Sequence, residues 1–338
     1  VTLPTAPLGT SGLDITRVGF GAWAVGGGGW GGGWGSQQDD DSVAAIRTAV
    51  EQGVNWVDTA PIYGLGRSET VVGRALRDLA EADRPYVFTK CGLRWTGNAE
   101  DGPDNVMAPE SVRQEVEDSL RRLGVERIDL YQVHWPPTDG TALDDYWAVM
   151  AELKDAGKVR AIGLSNHDVK QLDAAERIAH VDSLQPPLSL IAREAAADVI
   201  PWCRDNGTGV IVYSPMHSGL LTGAMTEERV KSLPHDDWRA TNDDFTGANG
   251  RRNMALADAL KPVAERHGVP VAAVAVAWTL AWDGVTGAIV GARNAQQVSG
   301  WLPAATLTLT DDDLAEIERA VGSTGAGQGP ADPRSRTT

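Results

Sequence analysis

A short apolar run, Gly53-Val54-Asn55-Trp56-Val57, ends in the carboxylate of Asp58, and a phenol follows in the next turn at Tyr63. Val87-Phe88-Thr89 ends in Lys90, and Tyr131-Gln132-Val133 ends in His134. Singly, each has a structural reading: Asp58 as a cap or ion-pair partner, Tyr63 as a loop anchor, Lys90 as a snorkelling strand end, His134 as a satisfied interior histidine. Together, at the ends of three successive strand-like runs, they form a proton-transfer set. Lys90 is one of six lysines, and it alone closes an apolar strand. A free phenol has a pKa of about 10, too high for efficient acid–base work at neutral pH. An ammonium beside it would draw that value down, and Asp58 would keep Lys90 charged and in place. His134 could bond a carbonyl oxygen or share the tyrosine's proton. Such positioned transfer is worth about 10²–10⁴ in rate.

A carbonyl that takes a proton on oxygen also needs a hydride on carbon. Side chains do not donate hydride, so the set implies a nicotinamide cofactor. The later strand ends offer a cradle. Ser165, Asn166 and Gln185 are neutral hydrogen-bonding groups suited to a carboxamide, and Tyr213, in Tyr213-Ser214-Pro215, is an aromatic face able to stack on a ring. Gly219-Leu220-Leu221-Thr222-Gly223 can turn backbone N–H groups toward a pyrophosphate. Gly291-Ala292-Arg293-Asn294 opens a helix beside an arginine, which makes an anion site. No metal-ligand set is visible.

The elements that must position these groups alternate. Strands are expected at 17–21, 54–58, 86–90, 128–134, 159–164, 183–185, 209–213 and 288–290, with helices between them. A hairpin at 8–20 precedes them, turning at Ser11-Gly12. Eight βα units with short connections imply a closed (β/α)₈ barrel with an N-terminal β-hairpin. A doubly wound open sheet is the alternative, disfavoured because polar residues sit at many strand ends rather than at one switch point. The domain is expected to span 1–322, with a flexible Gly/Pro/Ser/Thr tail over 323–338. Residues 252–267 read as one helix, and a polar insertion at 226–249 reads as a lid or as a segment disordered when the site is empty. The glycine-rich loop at 26–35 reads as mobile, with Trp30 and Trp34 as anchors. No phosphate-binding helix turn follows it, so a dinucleotide fingerprint is disfavoured there.

Composition sets the outer limits. The chain has 338 residues, 42% of them hydrophobic, and a formal charge of -16. So acidic a chain is a poor partner for nucleic acid or anionic membranes; an anionic cofactor needs a local cluster of basic side chains and N–H groups. The two cysteines, Cys91 and Cys203, make neither a metal spacing nor a disulfide framework, which fits a reduced cytoplasmic setting. Neither a signal peptide nor a membrane span is expected. The oligomeric state is not read.

The ordered set of motifs resembles the aldo-keto reductase family. Val57-Asp58-Thr59-Ala60 through Tyr63-Gly64, with Ser68-Glu69 and Gly73, is similar to the family's first signature. Lys90, His134, Ser165-Asn166, Gln185, Tyr213-Ser214-Pro215 and the Gly291-x-Arg293-x-x-x-Gln297 segment follow in order. The resemblance covers about 8–302. Leu8-Gly9-Thr10-Ser11-Gly12-Leu13 and Gly21-Ala22-Trp23 resemble bacterial members close to general-stress and inositol-cluster reductases. It implies a (β/α)₈ barrel, NADPH/NADP⁺ and reversible carbonyl reduction, with Tyr63 as general acid and Asp58, Lys90 and His134 completing the tetrad. The cofactor-binding set then comprises Trp23, Ser165, Asn166, Gln185, Tyr213, Ser214, Pro215, Gly219, Leu220, Gly291, Arg293 and Gln297. Members commonly carry an acid and then an asparagine against the adenine. Ser299, Gly300 and Trp301 stand there instead, so the adenine contact is altered or replaced by stacking on Trp301. NADPH is expected over NADH, since Arg293 can pair with the 2′-phosphate.

Trp30, Trp34, Trp95 and Trp135, with Trp23, are expected to wall the substrate cleft, which suits bulky, ring-containing or sugar-like carbonyls. Several of them could instead simply fill the rim. Two rival functions remain: a cofactor-binding regulatory subunit with little turnover, and a metal-dependent barrel hydrolase or isomerase.

Overall fold

In a strand, successive side chains alternate between faces. In Ile128–Val133, Leu130 packs into the barrel interior while Tyr131 and Val133 pack outward under the helices. The same alternation in each strand builds the whole molecule, seen here as a computed structural model that describes residues 2–95, 102–234 and 237–335. The strands are β1 Thr5–Pro7, β2 Asp14–Thr16, β3 Val18–Gly21, β4 Trp56–Asp58, β5 Tyr86–Cys91, β6 Leu93–Arg94, β7 Asp104–Asn105, β8 Ile128–Val133, β9 Val159–Ser165, β10 Ser183–Gln185, β11 Gly209–Val212 and β12 Val285–Gly291. Strands β3, β4, β5, β8, β9, β10, β11 and β12 close in that order, β12 returning to β3, and every pairing is parallel. This is the (β/α)₈ barrel that the alternation implies.

The antiparallel pair β1–β2 precedes the barrel. Its Leu8, Leu13 and Ile15 pack with Trp56, Phe88, Leu130, Ala161, Ile211 and Ile289 in one interior cluster. Trp56 is the bulkiest member; its indole fits because Gly19 on β3 lacks a side chain, and a Cβ there would lie 2.1 Å from the ring. With the base filled by apolar groups, polar interior residues collect at the other end, where the strands terminate.

Helices on the outside begin and end where local chemistry dictates. Asp168 caps Val169–Glu176 in a capping box with Gln171, and Thr310 caps Asp311–Thr324 in another with Asp313. The expected single helix over 252–267 is two, Gly247–Ala259 and Lys261–His267. Pro262 stands in the first turn of the second, a position that tolerates its missing N–H; inside one continuous helix it would clash with the preceding turn.

Part of the C-terminal segment bonds a distant loop. The helix continues to Thr324, and Gln328 N–H donates to Ile191 O. The buried guanidinium of Arg193 donates to the carbonyls of Leu190, Ala326 and Gly329. Donors from a distant loop therefore hold a stretch whose own composition gives no sign of order.

Candidate active site

The loop after β4 carries Tyr63, and its path depends on a close backbone approach. Gly26 and Gly64 pass so near each other that a Cβ on Gly26 would lie 2.6 Å from Gly64 N. Across that contact the tryptophan loop lies against the phenol. The loop is pinned as well: Trp23 Nε1 donates to Gly32 O and Trp30 Nε1 to Gly27 O. Among the described residues, the non-glycine positions with positive φ are Leu65, Asn166, Ser214, His217 and Ser218. All five lie on loops that leave β4, β9 and β11 at the C-terminal mouth. Backbone held in this sparsely populated region gathers at sites where geometry has to be imposed.

Within the mouth, Lys90 Nζ lies 2.5 Å from Asp58 Oδ1 and 2.9 Å from Thr59 O. The same nitrogen lies 5.4 Å from the centroid of the Tyr63 ring, and the His134 ring meets Tyr63 edge-on at 5.7 Å. The four groups are thus one cluster. Lys90 is fully buried beneath it, while Asp58, Tyr63 and His134 border a cavity of about 860 Å³.

Burial sets the electrostatics. It pushes the Tyr63 phenol well above its ordinary value, with Asp58 and Tyr213 adding to the rise. The expected downward pull from Lys90 does not prevail over that burial. Burial likewise pulls Lys90 down, with Asp58 working against it. His134 is held well below its usual range by burial and then by the charge of Lys90. At neutral pH the cluster therefore offers a protonated phenol and a neutral imidazole, an arrangement able to give up a proton.

The expected cofactor residues, Leu220 excepted, border the same cavity, as do Trp30, Trp34, Trp95 and Trp135. Leu220 is fully buried in the outer core, because it opens a 3-10 turn that folds inward. The neutral polar set is not idle. Asn166 Nδ2 donates to His134 O and Ser165 Oγ, Tyr213 Oη donates to Asn166 Oδ1, and Ser165 Oγ donates to Gln185 O. Gln185 Nε2 donates to Asp58 Oδ2. Arg293 donates to Gln37 Oε1 and to Ser36 O, and Gln297 Oε1 accepts from Arg293 N–H. Trp301 is only 2% exposed, so it presents little of a ring for adenine to stack on.

Sequence reasoning missed several groups. Arg229 and Arg239 border the cavity with Arg293, and the Arg239 guanidinium is paired with the buried carboxylate of Asp237. Trp238 stacks on Trp23 at 6.3 Å and 14°, and the Arg239 guanidinium lies 4.7 Å over Trp34. Both residues belong to the polar insertion, whose composition gives no periodic signal. His217, between Ser189 and Asp244, ties the loop after β11 to that insertion. Gln132 reaches Asp58 Oδ2 and was legible only as a residue on the same strand face as His134.

No group of three or more metal-ligating side chains occurs among the described residues, and no helix is long and apolar enough to cross a membrane. The chain is 36% identical over 319 residues to an aldo-keto reductase of Bacillus subtilis (strain 168), covering 93% of this chain and 92% of that one. It is 35% identical to an NADH-specific methylglyoxal reductase of Escherichia coli (strain K12), over 91% and 95% of the two chains. The solved glycerol dehydrogenase of Gluconobacter oxydans superposes with a TM-score of 0.86 at 37% identity, covering 98% of each chain. The model of the Aldo/keto reductase family matches residues 17–321, nearly the whole barrel with its mouth, and the chain belongs to that family.

Proposed function

We propose that this protein is an NADPH-dependent reductase of small neutral aldehydes and ketones, with Tyr63 as the general acid. One observation carries the reading: a phenol held protonated at the wall of a cavity, with a buried Lys90–Asp58 pair behind it and a neutral His134 beside it. The cavity fits a nicotinamide dinucleotide by its donor set. Ser165, Asn166 and Gln185 lie near the cluster, and Arg229, Arg239 and Arg293 are the cationic groups of its lining. When bound, the cofactor supplies a hydride to the carbonyl carbon. Tyr63 gives its proton to the carbonyl oxygen, and the product is the alcohol. His134 orients that oxygen, and Lys90, fixed by Asp58, stabilises the phenolate that the donation leaves.

Trp30, Ile62, Leu65, Leu93, Trp95 and Trp135 give the lining an apolar part, which favours neutral carbonyls. The relatives' names, a methylglyoxal reductase and a glycerol dehydrogenase, are in keeping with small carbonyls and alcohols. NADH is a second reading, favoured by the commitment of Arg293 to Gln37 and Ser36. The buried, unpaired Cys91 and Cys203 suit a cytoplasmic setting.

The test is a panel of neutral aldehydes and ketones followed by nicotinamide absorbance with each cofactor. Tyr63→Phe is expected to keep cofactor affinity and to lose about 10²–10⁴ of the rate. A phenylalanine variant reducing aldehydes at near-parental rate sinks the mechanism. Cofactor binding without turnover of any carbonyl would turn the reading to a regulatory subunit.

A further inference from the structure

We propose that Gln132 is a positioning residue for the reduction, holding Asp58 Oδ2 so that Oδ1 alone faces Lys90. The proposal rests on the reading of Tyr63 as the acid served by Lys90 and Asp58.

Asp58 is a carboxylate 3% exposed, and a buried anion needs its oxygens satisfied. Oδ1 takes the Lys90 ammonium. Oδ2 takes two amides, Gln185 Nε2 at 2.9 Å and Gln132 Nε2 at 3.3 Å. The amides also bond each other, since Gln185 Nε2 lies 3.1 Å from Gln132 Oε1. The three side chains close a triangle on one carboxylate oxygen. Neutral amides supply these hydrogen bonds without adding a charge that would compete with Lys90.

The barrel is built to hold Gln132 there. In the strand register Gln132 stands between Lys90 on β5 and Gly163 on β9. Gly163 leaves the space that the glutamine stem occupies, for a Cβ would come within 3.2 Å of Gln132 Cγ. Gln185 borders the cavity, whereas Gln132 is fully buried and does not. No ligand in the cavity reaches Gln132, so any effect on the reaction passes through Asp58 or Gln185, the two side chains it bonds. The other titratable groups around this point are Lys90 from β5, Tyr63 and Glu69 from the segment after β4, His134 at the end of β8, and Tyr213 at the end of β11.

Two variants test the role. Gln132→Leu keeps the volume and removes both hydrogen bonds. It is expected to lower kcat by about 10- to 100-fold, the range of a hydrogen bond to a charged group, with cofactor affinity by tryptophan-fluorescence quenching unchanged. Gln132→Glu is the conservative rescue. Its carboxyl, when protonated, donates to Oδ2 and accepts from Gln185 as the amide did. It is expected to turn over near the parental rate at low pH and to fall on a new limb as the introduced carboxyl loses its proton. Parental kcat in Gln132→Leu overturns the proposal. If Gln132→Leu does not fold, a Gln132→Glu enzyme without the new limb overturns it alone. Tyr63→Phe separates the two layers: a near-parental rate there removes the parent reading, whereas failure of the Gln132 variants alone removes only the positioning role.

Discussion

Lys90 Nζ donates to Asp58 Oδ1 across 2.5 Å, with the two residues 0% and 3% exposed. Taking both charges out of water is costly, and only their mutual attraction and added hydrogen bonds offset it. The single changes Lys90→Met and Asp58→Asn each strand a charge, and each is expected to destabilise by about 3–5 kcal/mol. The double variant removes both charges and is expected to recover most of that stability. Activity behaves otherwise: all three variants are expected to lose at least about 10²-fold in kcat. Urea unfolding beside turnover checks this, and a double variant no more stable than the singles would show that the pair is not the unit.

The pH profile of reduction follows from the directions at Tyr63 and His134. The phenol is raised, so it keeps its proton across the neutral range and loses it only as pH climbs past 10. The imidazole is depressed, so no inflection is expected near 6.5 in kcat/KM. A clear inflection between about 6 and 7 that disappears in His134→Gln contradicts the neutral imidazole.

Stability has its own sign. His134 is depressed, and buried His167 is lowered to about 4. Both stay neutral when folded at a pH where the unfolded chain binds protons. The folded state binds fewer protons there, so stability rises with pH. The contribution is complete above the unfolded value of about 6.5 and is lost as pH falls below it. The urea midpoint is therefore expected to drop from pH 7.5 to pH 5, and less steeply in His167→Gln.

Much of this was legible in the sequence for a physical reason. A strand's period and its C-terminal end are local properties, so Asp58, Lys90 and His134 announce a shared mouth as soon as the strands are found. Depth is not local. The sign of the phenol's shift depends on how far Tyr63 sinks, and it came out opposite to the pull expected from Lys90 alone. Leu220 sits between glycines in a stretch that reads as a flexible turn, yet it is buried. Trp238 and Arg239 reach the site from a polar insertion whose placement depends on tertiary contacts with Trp23 and Trp34. Ala326 and Gly329, beyond the last helix, accept from Arg193, more than a hundred residues away in sequence.

Cofactor preference is expected to depend on Arg293. Its guanidinium holds Gln37 and Ser36, and a 2′-phosphate would have to share or displace those bonds. A charge-assisted hydrogen bond carries about 1.5–3 kcal/mol, or roughly 10- to 150-fold. Arg293→Ala is expected to weaken NADPH by about that factor while leaving NADH within threefold. Side-by-side kcat/KM values measure it, and comparable parental values for the two cofactors would remove the NADPH reading.

Trp238 does not border the cavity but backs a residue that does. Trp23 lies between it and the acid: Trp238 and Trp23 stack at 6.3 Å and 14°, Trp23 and Tyr63 at 6.3 Å and 27°. Trp34 meets both tryptophans edge-on, at 5.2 Å from Trp23 and 6.2 Å from Trp238. The insertion thus sets the wall beside Tyr63 without touching the phenol. Each such aromatic pair is worth about 0.5–1.5 kcal/mol beyond its buried area. Trp238→Ala frees Trp23 to leave its place, so KM for aromatic aldehydes is expected to rise by about two- to tenfold per lost pair. The kcat is expected to hold, because Trp238 does not touch Tyr63, Lys90, Asp58 or His134. Small aliphatic aldehydes, which need less of that wall, should show a smaller rise, and Trp238→Phe should restore most of the aromatic affinity. Equal losses for aliphatic and aromatic aldehydes would mean that Trp238 holds the fold of the insertion and does not shape the wall.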